Sequence, residues 1–130
     1  MAKYGKAAEI AARLLANQHE VEPRSAWTRA VSQVFPDSPS SRDKGCPKDS
    51  FLALCTAGVV NGVPTGHYTR SVKNSSYMQR ALAAIRLNPA LLQDPARLWQ
   101  LATDDAGIKA NCQIEVLTTL WNAGLIRDAP

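Results

Sequence analysis

The stretch CPKDSFLALCTAGVV at residues 46–60 lies without a gap over CQIEVLTTLWNAGLI at residues 112–126, and this pairing decides the fold. Cys46 meets Cys112, Asp49 meets Glu115, Phe51 meets Leu117, Leu54 meets Leu120, and Ala-Gly-Val-Val meets Ala-Gly-Leu-Ile. A second pair precedes it. Residues 4–27 and 77–99 both run from a tyrosine through an Ala-rich stretch with one arginine (Arg13, Arg86) to Pro-x-x-x-Trp, ending at Trp27 and Trp99. That alignment needs one single-residue gap. Internal repetition bounds architecture more firmly than any single motif.

Helical periodicity fills in the units. Tyr4, Ala7, Ala8, Ala11, Leu14 and Leu15 recur at helical spacing, so a first helix ends near Asn17. Pro23 suits the opening position of a second helix, which Phe35-Pro36 stops. Residues 37–45 read as an ordered loop. Pro47 opens a third helix striped by Phe51, Leu54 and Cys55 and closed by Gly58, after which Val59-Val60 folds back as an apolar latch. In the second copy, residues 77–87, 95–102 and 113–123 form the three helices, and Leu125-Ile126 repeats the latch. No stretch alternates with period two, so strands are not expected beyond a short pairing near Val59 to Val63. The expectation is an all-α single domain of about six helices: pseudo-repeat 4–60, insert 61–76, pseudo-repeat 77–126.

At 130 residues and 45% hydrophobic, the chain supports one core. No run reaches the roughly 20 apolar residues of a membrane span, and Lys3, Lys6, Glu9 and Arg13 interrupt any secretory leader. Cytoplasmic residence is the expectation. Three cysteines, an odd number with Cys46 and Cys55 on one helix, read as thiols.

The net charge of +4 is uneven. Residues 24–86 hold nine basic against three acidic side chains, whereas residues 87–130 hold three basic against five acidic. A basic middle points to an anionic partner, although a solvated surface gives the same composition.

The insert, NGVPTGHYTRSVKNSS at residues 61–76, has no counterpart after Ile126. It gathers His67, Tyr68, Thr69, Arg70, Ser71, Lys73 and Asn74, and binding groups concentrate on loops carried by rigid scaffolds. Just before the third helix, Arg42, Lys44, Gly45, Cys46 and Lys48 surround the positive end of a helix dipole, a candidate anion site. Pro47 supplies no donor there, and Asp49 competes for the same field.

Catalytic readings are weaker. Cys46 with His67 and Asn74 has the composition of a Cys-His-Asn arrangement, but Cys112 stands at the same place in a copy without a nearby histidine. No zinc spacing, dinucleotide fingerprint or phosphate loop occurs, so no metal or cofactor is expected.

The stretches Gly45-Cys-Pro-Lys48 with Phe51-Leu-x-Leu-Cys55, Gly62-Val-Pro-x-Gly66, and Tyr68-Thr-x-Ser71 with Asn74, together with Tyr4-Gly5 and Ala26-Trp27, resemble a small family of bacterial proteins of about this length. The resemblance covers nearly the whole chain and marks residues 42–76 as its signature segment. It implies no activity. The leading expectation is therefore a helical binding module that engages nucleic acid or another phosphate-bearing partner through residues 42–76. Two alternatives stand beside it: a small enzyme or metabolite-binding protein with a pocket near Cys46 and His67, and a protein-interaction or homodimer module marked by an exposed apolar patch.

Overall fold

Alanines set the first helix. In the computed structural model, which describes residues 2–127, α1 (Lys3–Ala16) buries Ala7, Ala8, Ala11, Ala12 and Leu15 along one stripe. The small side chains let neighbouring helices approach closely, most of all at Gly5. A Cβ on Gly5 would stand 2.9 Å from the Glu115 carbonyl oxygen and would overlap the Thr119 hydroxyl, so only glycine fits where α1 crosses the helix Gln113–Asn122.

The second helix, α2 (Pro23–Val34), opens on proline, and the Glu22 carboxylate accepts the Ser25 N–H at 2.9 Å. Its Trp27 is buried, with its ring stacked on Phe51 at 5.5 Å. A single turn, α3 (Pro39–Arg42), interrupts the expected loop, capped by the Ser38 hydroxyl. Next comes α4 (Gly45–Thr56), which begins two residues before the proline expected to open it.

The second half comprises α5 (Val72–Leu87), a 3-10 turn at Pro89–Gln93, α6 (Pro95–Ala102) and α7 (Gln113–Asn122). Six of the helices run eight residues or longer, as the periodicity implies, and the described residues form one all-α unit. One boundary differs from the sequence reading. Because the Ser71 hydroxyl accepts the Asn74 N–H at 3.2 Å, α5 starts at Val72 rather than Tyr77, and residues 72–76 of the insert are helical.

Contacts between the halves are reciprocal. In each half the first helix packs on the second, α1 on α2 and α5 on α6. It also packs on the last helix of the other half, α1 on α7 and α5 on α4. The two latches meet as an antiparallel bridge between Val60 and Ile126. Asn61 donates its N–H to the Leu125 carbonyl at 2.9 Å, and Arg127 donates to the Val59 carbonyl at 2.7 Å. Each bridge partner thus lies 66 positions from its mate, the offset that aligns Cys46 with Cys112. Gly58 and Gly124 take the left-handed turn that aims both latches inward, at φ +75° and +73°. Residues from both halves close a single core.

Candidate functional site

The insert is anchored at both ends of α4. The Gly66 and Tyr68 N–H groups donate to the Thr56 carbonyl at 3.4 Å and the Thr56 hydroxyl at 3.0 Å. Farther along, the Thr69 hydroxyl donates to the Asp49 carboxylate at 3.0 Å, and the Ser71 N–H donates back to Thr69 Oγ1 at 3.1 Å. The Tyr68 hydroxyl donates to the Pro64 carbonyl at 2.9 Å, which folds its ring over Gly66 where a Cβ would collide. Arg24 of α2 clamps the Tyr68 carbonyl at 3.1 Å. A polar loop with this many main-chain anchors is a built surface rather than a free connection.

This path borders a cavity of about 410 Å³, open to solvent, between the insert and the first two turns of α5. His67, Arg70 and Ser71 line it together with Ser75, Ser76 and Gln79, while Thr56 and Thr69 stand at its back and no acidic residue is among its walls. The Ser71 cap of α5 accepts only the Asn74 N–H, and the main-chain N–H groups of Val72 and Lys73 have no hydrogen-bond partner among the described residues. Such N–H groups carry partial positive charge. His67 and Arg70 are exposed, and neither makes an ion pair or donates a side-chain hydrogen bond within the described chain.

The other expected site residues are placed elsewhere. Arg42 turns inward and donates through Nη1 to the Phe35 and Pro36 carbonyls at 2.8 and 2.9 Å, capping the end of α2. The Lys44 ammonium lies over the Tyr4 ring, 5.5 Å from its centroid and 3.8 Å from Cys112 Sγ. The Asp49 carboxylate stands beside Gly45, with Oδ2 4.0 Å from where a Cβ would be, so an internal anion already occupies the start of α4. Lys48 is half-buried and Lys73 is exposed; neither lines the cavity. Asn74 is buried, donating to Ser71 Oγ at 3.0 Å and accepting from Gln113 at 3.4 Å.

No hydrogen bond joins Cys46, His67 and Asn74 among the described residues. His67 lines the cavity, Cys46 does not, and the Asn74 amide is committed to Ser71 and Gln113. All three cysteines are free thiols. Burial pushes the Cys55 thiol far up, with the Glu22 carboxylate adding to the shift. Desolvation also raises Cys112, the Glu115 carboxylate adds, and the Lys44 ammonium opposes. Among the described residues no group of three or more His, Cys, Asp or Glu could hold a metal ion, and no helix is long and apolar enough to cross a membrane.

Sequence reasoning missed Thr56, Ser75, Ser76 and Gln79. The signal was present: with Ser71 taken as the cap, residues 72, 75, 76 and 79 fall on one helical face. The exposed large apolar residues Val21, Val72, Leu87 and Ile108 lie on separate segments, and Val72 and Leu87 stand at opposite ends of α5, roughly 22 Å apart at 1.5 Å per residue. Val72 and Leu87 thus share no patch.

Comparison with curated proteins and with solved structures gives no match. A family model described as a family of unknown function, DUF6979, matches residues 1–127, and the chain belongs to that family.

Proposed function

We propose that this protein is a binding module for a small phosphate-bearing ligand, held in the cavity between the insert and α5. Arg70 and His67 supply the cationic groups, Ser71, Ser75 and Ser76 supply hydroxyl donors, and the first-turn N–H groups of α5 complete the cradle. The observation that carries the reading is a cavity of about 410 Å³ walled by two basic side chains and no acid.

A small ligand suits this geometry better than an extended nucleic acid. Of the basic residues between 24 and 86, Arg24, Arg42, Arg80 and Arg86 donate to main-chain carbonyls, and Arg29 pairs with Glu20. Of the three tryptophans that could stack on bases, Trp27 and Trp99 are buried and Trp121 is half-buried against the core. What remains is a local site rather than a stripe that tracks a phosphate backbone.

Titration of the 15N-labelled protein with inorganic phosphate and with adenosine monophosphate tests the proposal. Saturable shifts at residues 66–79, lost in Arg70→Ala, are expected. Absence of shifts at low ionic strength removes the reading. Tight, steeply salt-dependent binding of a single-stranded DNA or RNA oligonucleotide, without response to the small ligands, transfers it to nucleic acid.

Two further readings accompany this one. The chain is a duplicated three-helix unit, which is supported by the bridge between residues 66 positions apart and by the exchange of helix contacts between halves. Cytoplasmic residence is supported by three unpaired thiols.

A further inference from the structure

A second cavity, of about 620 Å³, opens between α1, α2 and α7, away from the insert. Ile10, Val34 and Thr119 line it, with Gln33 at the end of α2 and the exposed Lys3 and Lys6 on α1. Glu9 is the one acid among its walls, and its carboxylate is already paired with Arg13 at 3.1 Å. Lys6 makes no ion pair or side-chain hydrogen bond among the described residues, while the Lys3 ammonium lies 5.7 Å from the Phe35 ring centroid. The cavity thus joins an apolar body to uncompensated positive charge. Its volume falls within the range of roughly 300–1,000 Å³ that holds small organic ligands.

Its position repeats that of the insert cavity. With Tyr4 in register with Tyr77, the wall residues Ala2, Lys3 and Lys6 of α1 correspond to Ser75, Ser76 and Gln79, the α5 wall of the other cavity. The same helical face opens onto a cavity in each half. One half presents hydroxyls and an amide there, and the other presents lysines above apolar walls.

We propose that this cavity is a second binding site, for a small amphipathic carboxylate. The hydrocarbon or aryl body lies between Ile10 and Val34, where its removal from water drives binding, and the carboxylate meets Lys3 and Lys6. A neutral apolar ligand leaves the lysines unused, and a phosphate lacks the ring of hydroxyl donors present in the other half. The proposal stands independently of the phosphate reading.

Decanoate, below its micellar concentration, is the probe. Titration of the 15N-labelled protein is expected to give saturable shifts in the first half of α1, at Gln33, Val34 and Thr119, at one decanoate per chain and with residues 66–79 unmoved. Lys6→Glu, an exposed change that leaves the core intact, weakens binding roughly fivefold, the order expected when a screened attraction becomes a repulsion. Absence of saturable shifts, shifts centred on His67 and Arg70, or affinity unchanged in Lys6→Glu overturns the proposal.

Discussion

Glu115, in the last helix, accepts the main-chain N–H of Gly5, in the first, at 3.1 Å, and the same oxygen accepts the Tyr4 N–H at 3.0 Å. The first turn of α1 lacks an acidic residue and a side-chain cap of its own, so a carboxylate from α7 serves both roles. Asp49 corresponds to Glu115 in the 66-residue alignment, and it reaches from α4 to Thr69, just ahead of α5. Each half thus uses an acid on its last helix to fix the start of the other half's first helix.

Removal of the Glu115 carboxylate therefore costs stability without touching the core. Glu115→Ala leaves two N–H groups without a partner, and a loss of about 1–2 kcal/mol is expected, the range for a deleted helix cap. Urea denaturation followed by circular dichroism measures it. Glu115→Asp, one methylene too short to reach, recovers less than half of the loss.

The close approach of α1 and α7 leaves no room for a side chain at the buried Gly5. Gly5→Ala drives a methyl group into Thr119 Oγ1 and the Glu115 carbonyl, and overpacking of this kind costs roughly 1–3 kcal/mol. In the background of Thr119→Ala the penalty shrinks but persists, because the carbonyl remains 2.9 Å from the new Cβ. Additive behaviour of the two substitutions in the same denaturation assay contradicts the packing described here.

Alkaline stability depends on the Cys55 and Cys112 thiols. Cys55 and Cys112 have folded-state pKa values above those of the unfolded chain, so each contributes stability that is complete below the unfolded value of about 8.5 and declines as pH rises toward the folded value. Above pH ~8.5 the free energy of unfolding falls by up to about 1.4 kcal/mol per pH unit for the buried Cys55 thiol, and Cys112, only half-buried, adds less. Denaturation curves between neutral and alkaline pH check this. The slope is shallower in Cys55→Ala, which lacks the more deeply buried group.

The helix order, the latches and the tryptophan-bearing core were legible because they rest on periodicity and on residues such as Gly58 and Gly124 whose conformational role is local. Pairing between the latches was only half legible: a short pairing near Val59 to Val63 follows from the sequence, but its bridge partner, Ile126, is set by packing across the chain. Composition was a poorer guide to the site. Arg42 and Lys44 count as basic in any tally, yet one caps α2 and the other lies over Tyr4, because long side chains carry their charge to whatever acceptor the fold brings near. Ser75 and Ser76 were missed for a related reason. They become wall residues only once Ser71 starts the helix five residues early.

Thr69 connects the site to the scaffold, so its substitution separates architecture from binding. Thr69→Val removes the hydroxyl that bonds the half-buried Asp49 carboxylate and leaves that acceptor without this partner, at a cost of about 1–3 kcal/mol. Amide exchange at residues 66–71 is expected to accelerate, whereas His67→Ala, an exposed change, leaves exchange and stability unchanged.

Arg42 and Arg70 provide the sharpest contrast between a structural and a ligand-facing cation. Arg42 Nη1 donates two hydrogen bonds to the carbonyls that end α2, and a hydrogen bond to a charged group contributes about 1.5–3 kcal/mol net. Arg42→Ala is therefore expected to lower stability by about 1–2 kcal/mol, since water reaches part of the exposed carbonyls, while phosphate affinity changes less than twofold. Arg70→Ala gives the opposite pattern, because its guanidinium has no acceptor in the described chain and projects at the cavity mouth. Its stability stays within about 0.5 kcal/mol of the parent protein, and phosphate affinity falls by roughly tenfold, the loss of one charge-assisted contact. If Arg42→Ala weakens phosphate binding as much as Arg70→Ala, the cavity at α5 is not where the anion sits.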